Sequence, residues 1–393
     1  MYLMTVEWPP GSPPVFKARY VARGFSKSPG VDYFQTFSPT PKMTTLRHCF
    51  PTGQSARGDL AAPPTWLHWV VSSWYPVEPP AAVYGLCEVP REWHDTLRTT
   101  LAALGFSPST ADPSLFLRTD TLLPPFYILV FIDDLVFATA DTAGLAHVKS
   151  ELQKRHTCTD LGELRSYLGL RITRDRARCT ITLTQSHMVQ QVLQRFDFTY
   201  SSTQATPLST RHSLSALPSD ESVEPSGPYL ELVGCLIYPM TCTRPDLAYP
   251  LSILAHYVAL GRHRPEHMAA AKRVLRYLCS TSGMGLVLGG QSPVVLTGHA
   301  DASWVDNLAT SSCEAEIYAR AMAAQELRWL TNLLTDLGEP PRSPPVLYQR
   351  GQLRLAYVAS QANTADIFTK ALQPCDHQRF CTMLGLLALL CFA

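Results

Sequence analysis

The sequence predicts an α+β chain with more than one domain, and three observations carry that reading. One is the run "FYILVFIDDLVFATAD" at 126–141, where aromatic and β-branched residues flank two aspartates. Such a run favours paired strands over helix. Another is a set of segments with helical spacing, such as "REWHDTLRTTLAAL" at 91–104. The last is size: 393 residues can build two or three domains with cores of their own.

The elements follow in order. Residues 15–47 read as strands and loops with a basic face. In 91–104, Trp93, Leu97, Leu101 and Leu104 recur on one helical face, and Gly105 ends it. The strand pair around Asp133 and Asp134 comes next, then an amphipathic helix, "TAGLAHVKSELQKRH" at 142–156. "LRSYLGLRITRDRARCTITLTQ" alternates as a hairpin does. Residues 201–228 are rich in Ser, Thr and Pro and read as a linker. Apolar helices are expected at 229–257, and 264–281 is a helix bearing Lys272, Arg273 and Arg276. Strand-like "SPVVLTGHADASW" leads to a last helix, "CEAEIYARAMAAQELRWLTNLLTDLG".

Composition sets bounds on function. Hydrophobic content of 46% and charged content of 17% describe an ordinary folded protein. A net charge of +1 gives no global field for nucleic acid. Locally the balance differs: residues 1–50 hold Lys17, Arg19, Arg23, Lys27, Lys42 and Arg47 against Glu7 and Asp32. Eleven cysteines without a C-x-x-C pair argue against a zinc ribbon or redox dithiol and suit buried thiols in a reducing compartment. "MYLMTVEWPPGSPP" lacks the order of a signal peptide, and the apolar "MLGLLALLCFA" is too short to span a bilayer. An intracellular protein of cytoplasm or nucleus, with no membrane partner, is expected.

The paired aspartates admit two readings. An Asp-Asp between apolar runs can be a plain hairpin turn. It can also be a strand-turn-strand that carries both carboxylates to a cleft, where Mg²⁺ or Mn²⁺ neutralises them for in-line phosphoryl transfer.

The order of segments bears on that choice. "FKARYVARGF", "DYFQTFSPTPKMTTLR", "VYGLCEVPREWHDTL", "FYILVFIDDLVFAT", "LGELRSYLGLRI", "LIYPMTCTRPDLAYPLS", "AAKRVLRYL", "HADASW", "CEAEIYA" and "ANTADIFTKAL" occur in that sequence along most of the chain outside 50–83. Together they resemble the reverse transcriptase and ribonuclease H portion of copia-type LTR-retrotransposon Pol polyproteins. The resemblance implies a right-hand polymerase palm and fingers, then a helical connection, then a truncated ribonuclease H-like α/β domain. It divides the chain into a tail (1–14), fingers and palm (15–200, aberrant at 50–83), the linker (201–228), a thumb-like connection (229–290), the ribonuclease H-like part (291–374) and a tail (375–393).

Site residues follow from the same resemblance. Asp133 and Asp134 match the metal-binding palm hairpin, and Lys17, Arg19 and Arg23 match the fingers segment that grips the incoming triphosphate. Asp301, Glu316 and Asp366 match three ribonuclease H carboxylates. Lys272, Arg273 and Arg276 form a candidate nucleic-acid face. The implied cofactor is Mg²⁺ or Mn²⁺. The implied partners are RNA template, DNA primer, RNA–DNA hybrid and dNTPs.

The chain also departs from the family pattern. A polymerase needs a third carboxylate from an earlier palm strand, which should fall between "TLR" and "YGL". That interval holds six prolines and three of the seven tryptophans, with Asp59 and Glu78 its only acids. Since Pro breaks a central strand, no carboxylate-bearing palm strand is expected at 50–83. Cys87 and Glu88 stand where the family usually has a basic residue and a glutamine, and a carboxylate there repels a triphosphate. Only 14 residues separate Asp301 from Glu316, too few for two further strands. Tyr348 joins Gln349 directly, so a further carboxylate and its helix are absent from that place. The sequence therefore points to a copia-type reverse transcriptase with damaged sites. The alternatives are a non-catalytic nucleic-acid-binding remnant, or an active polymerase that uses Asp59.

Overall fold

The computed structural model describes residues 2–4, 17–19, 27–28, 30–31, 36–52, 65–71, 86–118, 123–156, 158–211, 214, 228–259, 264–290, 296–302, 311–341 and 362–388. It is mixed α/β and falls into two compact units, 1–46 with 59–164 and 47–58 with 165–393. Among the described residues no helix is long and apolar enough to cross a membrane.

In chain order the elements up to residue 164 are β1 (Tyr2–Met4), β2 (Lys17–Arg19), α1 (Met43–Thr52), β3 (Thr65–Val71), α2 (Val89–Ala103), β4 (Ser107–Pro108), β5 (Leu115–Arg118), β6 (Phe126–Phe131), β7 (Asp134–Thr139), α3 (Thr142–Arg155) and β8 (Cys158–Glu163). Six strands form one antiparallel sheet in the order β4-β5-β6-β7-β3-β8. Helices α2 and α3 cover one face of it. Trp93, Leu97, Leu101, Leu145, Val148 and Leu152 pack there on Phe126, Ile128, Val130, Leu135 and Phe137. Asp141 caps α3 by accepting from the Gly144 amide at 2.8 Å, and Arg118 holds the same carboxylate at 3.0 Å.

Two further segments of this unit contain strands. Within the segment expected as a tail, 1–14, Tyr2, Leu3 and Met4 pair with Arg19, Ala18 and Lys17. The interval 50–83 contains a strand, β3, which carries no acidic residue. Its prolines all lie at positions 51, 63, 64, 76, 79 and 80, which leaves "TWLHWVV" proline-free and rich in strand formers.

The second unit adds β9 (Ser166–Tyr167), β10 (Leu170–Asp175), β11 (Thr180–Thr184), α4 (Ser186–Arg195), α5 (Tyr229–Cys242), α6 (Ala248–Ala259), α7 (Pro265–Thr281), β12 (Met284–Gly289), α8 (Ser312–Asp336), α9 (Asp366–Thr369), α10 (Pro374–Met383) and β13 (Leu386–Ala388). Its sheet runs β13-β12-β11-β10-β9. The hairpin at 164–185 thus belongs with this unit, because β11 pairs along its length with β12. Residues 284–289, expected within a helical connection, are the strand that makes this pairing. The expected tail at 375–393 instead supplies α10 and the edge strand β13, and Phe380, Cys381 and Leu386 pack in a small core with Ile367. Within the expected linker, Thr206 and Leu208 are buried. Residues 296–302 carry no strand, only an isolated bridge at Thr297.

Helices α4 to α7 share a core built on Val189, Leu193, Leu232, Leu236, Leu254 and Leu275. A buried ionic cluster adjoins it. Arg244 grips Asp246 in a bidentate pair at 3.0 and 2.8 Å, and both side chains are within 1% of full burial. Tyr277 donates to the same carboxylate at 2.6 Å, while Arg244 also donates to the Thr281 carbonyl and hydroxyl. Every strong donor here has an acceptor, which is what makes burying two charges tolerable.

Candidate functional site

The two aspartates sit at the open end of the β6–β7 hairpin. Phe131 pairs with Asp134, so Ile132 and Asp133 make a two-residue turn. Ile132 has φ +54°, a left-handed conformation that is strained for a β-branched residue. The turn is fixed from one side: Trp93 of α2 donates its Nε1–H to the Ile132 carbonyl at 2.7 Å and packs edge-on against His156. Strand alternation puts Asp134 on the face shared with Val136 and Ala138, opposite the face that α2 and α3 cover. Both carboxylates are partly exposed while the strands behind them are buried.

The strand beside Asp134 is β3. Its register sets Val70 opposite Asp134, Trp69 opposite Leu135 and His68 opposite Val136. No residue of β3 is acidic. On its other edge Trp69 pairs with Asp160, which alternation places on the opposite face from Val70, and Asp160 accepts from Lys149 at 2.6 Å. Asp59 and Glu78 lie outside the described residues. Among the described residues no three His, Cys, Asp or Glu side chains gather as a metal-binding group. Asp133 and Asp134 supply hard oxygen ligands, yet the described side chains do not complete the donor set of a two-metal centre.

Glu88 precedes α2 and forms an ion pair with Lys27. The sequence identified the carboxylate and passed over its partner, because 61 positions separate them. Lys17 and Arg19 lie on β2, paired with β1. Arg23 lies outside the described residues.

In the second unit Asp301 and Asp366 are brought together. The Lys370 ammonium lies 3.2 Å from a carboxylate oxygen of each, and Thr369 donates to Asp301 at 2.5 Å. Desolvation works against the Lys370 charge, but hydrogen bonds and attraction from the two carboxylates outweigh it and raise its pKa. Glu316 is elsewhere engaged, 3.5 Å from Arg320 one turn along α8. Two of the three expected carboxylates therefore share a lysine. Its place four residues after Asp366 was the signal available in the sequence.

The cationic face of α7 is also partly spent. Arg273 donates to the Thr206 hydroxyl at 3.0 Å, and desolvation, then the neighbouring Arg276, lowers its pKa. Arg276 lies over the Phe198 ring at 5.6 Å. Lys272 is exposed.

Comparison with known proteins bears on these sites. A family model described as reverse transcriptase (RNA-dependent DNA polymerase) matches residues 79–210, which contain the Asp133–Asp134 hairpin and begin beyond β3. The retrovirus-related Pol polyprotein from transposon TNT 1-94 of Nicotiana tabacum is 28% identical over 375 residues, covering 82% of this chain and 28% of that protein. The corresponding polyprotein from transposon RE2 of Arabidopsis thaliana is 29% identical over 460 residues, covering 95% of this chain and 31% of its own length. A putative transposon Ty5-1 protein of Saccharomyces cerevisiae is 32% identical over 221 residues, covering 56% of this chain and 70% of that protein. The chain thus spans less than a third of the two plant polyproteins. The match to RE2 runs longer than this chain, so the relative carries residues that the chain lacks.

Proposed function

The chain belongs to the reverse transcriptase family of copia-type transposon Pol polyproteins, and from that premise we propose that it is a reverse transcriptase derivative that binds nucleic acid without polymerising it. One observation carries the reading: β3, paired directly to Asp134, brings no carboxylate to the hairpin. With two adjacent carboxylates and no ligand from the neighbouring strand, neither ion of a polymerase centre is held, and no catalytic step is assigned to one.

In this reading the six-stranded sheet is the polymerase palm, and Lys17, Arg19 and Arg23 are the fingers cations that meet phosphate. The ion pair of Lys27 with Glu88 removes one further cation from that task. The part from Asp301 to Asp366 is a ribonuclease H remnant whose two converging acids share the Lys370 ammonium where a divalent metal would sit. The partners are RNA template, primer and RNA–DNA hybrid, engaged through phosphates by the fingers cations and Lys272.

Fluorescence-anisotropy titration with a labelled RNA–DNA hybrid tests this. Binding should weaken steadily from about 50 to 200 mM salt, as counterion release demands, and be unchanged by EDTA. Absence of binding at the lower salt would overturn the nucleic-acid role. Binding lost on chelation would overturn the metal-free reading.

A further inference from the structure

We propose that Tyr200 is a stacking platform for an unpaired base, and that with Lys272 and Arg276 it forms a site for single-stranded nucleic acid. This site rests on the nucleic-acid role proposed above and adds to it a residue and a strand form. Residues 198–206, whose composition from 201 onward marked a linker, run as a strap across the C-terminal half of α7. Arg276 lies over the Phe198 ring at 5.6 Å. The Cys279 thiol donates to the Thr199 carbonyl at 3.4 Å and lies 3.9 Å from the Ser201 carbonyl. Further along, the Ser280 hydroxyl is 3.3 Å from the Gln204 carbonyl, and Arg273 donates to Thr206 at 3.0 Å.

Tyr200 sits in the middle of the Cys279 clamp. Its backbone is held on both sides, yet the residue is 99% exposed. A ring presented on an anchored backbone loses little freedom when a flat partner stacks on it. Lys272 and Arg276 are one helical turn apart, and Cys279 is close to one turn further, so the cations lead along one face of α7 to the tyrosine. Arg273 and Arg276 keep their charge, because a hydroxyl holds one and a ring the other. Nearby, Arg195 is paired with Glu231 and Asp197 is exposed, so three cations stand against the Asp197 carboxylate. An aromatic ring beside cations suits a single strand, with a base on the ring and phosphates on the cations. A duplex suits it poorly, since its bases are already stacked on one another.

The test is fluorescence anisotropy of the full chain at low salt with labelled strands of about 12 nucleotides: single-stranded RNA, DNA of the same sequence, a fully abasic strand, and the hybrid duplex. Tyr200→Ala should weaken binding of both single strands about fivefold or more, while Tyr200→Phe keeps wild-type affinity, since the ring carries the stacking. The abasic strand should bind wild type no better than it binds Tyr200→Ala, and the hybrid should bind all three chains alike. Lys272→Ala should weaken base-bearing and abasic strands equally, as loss of a phosphate contact does. Equal single-strand affinity for Tyr200→Ala and wild type would overturn the proposal, as would a loss of the same size on the abasic strand or the hybrid. Should Tyr200→Ala fail to fold, wild type alone decides, because equal affinity for the abasic and base-bearing strands would also overturn it. Wild type that binds neither single strand nor hybrid removes the nucleic-acid role itself, whereas normal wild-type binding with an indifferent Tyr200→Ala removes only the stacking site.

Discussion

Replacing Asp246 by Ala removes the acceptor at the centre of the buried cluster in the second unit. Arg244 loses two charge-assisted bonds, at 3.0 and 2.8 Å, and keeps only the Thr281 carbonyl and hydroxyl. Tyr277 loses its 2.6 Å acceptor. Breaking a buried pair from one side costs about 3–5 kcal/mol, and stranding a buried hydroxyl adds about 1–2 kcal/mol. A loss of about 4–7 kcal/mol approaches the whole stability of a small domain. Urea unfolding followed by far-UV circular dichroism should show the second unit's transition near zero denaturant. The paired replacement Arg244→Met/Asp246→Leu removes both charges together and should cost far less. The acid limb gives an independent check. Desolvation alone would raise the Asp246 pKa, but the Arg244 guanidinium and the Tyr277 hydroxyl outweigh it and hold it below the usual carboxylate range. A depressed folded pKa contributes stability that is full above the unfolded value, about 3.9, and lost as pH falls through the lower folded one. Asp246→Asn should flatten that limb. A loss under about 1 kcal/mol in Asp246→Ala, or a paired replacement as damaging as the single one, would refute the reasoning.

Three further outcomes follow from the first unit. A Cβ at Gly144 would stand 2.0 Å from the Asp141 carboxylate oxygen that Arg118 holds, so Gly144→Ala should displace the α3 cap and cost about 1–2 kcal/mol in thermal unfolding. Trp93→Phe deletes the bond to the Ile132 carbonyl, worth about 1 kcal/mol, and should speed amide exchange at Asp133 without melting α2. Unchanged exchange would mean that the turn holds itself. Glu88→Gln removes the acid facing Lys27, and a dNTP titrated at low salt should bind about three- to tenfold more tightly than to wild type. Equal affinity would show that Lys27 does not reach the triphosphate.

The parts legible in the sequence are those written in local periodicity. The α2 helix, the β6–β7 hairpin and the α7 helix fall within two residues of their expected bounds because their apolar spacing decides burial directly. What misled was composition averaged over an interval. The prolines of 50–83 weighed against a carboxylate-bearing palm strand; an acid-free strand forms there because they flank "TWLHWVV" rather than interrupt it, and β7 offers that segment a ladder. Partners distant in sequence were also hidden. Neither β12 nor β13 signals that it pairs with the other across about a hundred residues, and Lys27 gives no sign of Glu88. At the site, the Asp133–Asp134 turn was readable from the residues. The identity of its neighbour, Val70, required the register.

Primer extension bears most directly on the central claim, that the hairpin survives in a polymerase fold that no longer holds its metals. Purified wild-type chain is given an RNA template, an annealed DNA primer, dNTPs and either Mg²⁺ or Mn²⁺. The account predicts no primer lengthening with either ion, and the same result for Asp133→Asn. Metal-dependent extension by wild type that disappears in Asp133→Asn would contradict it, and would place a third ligand outside β3.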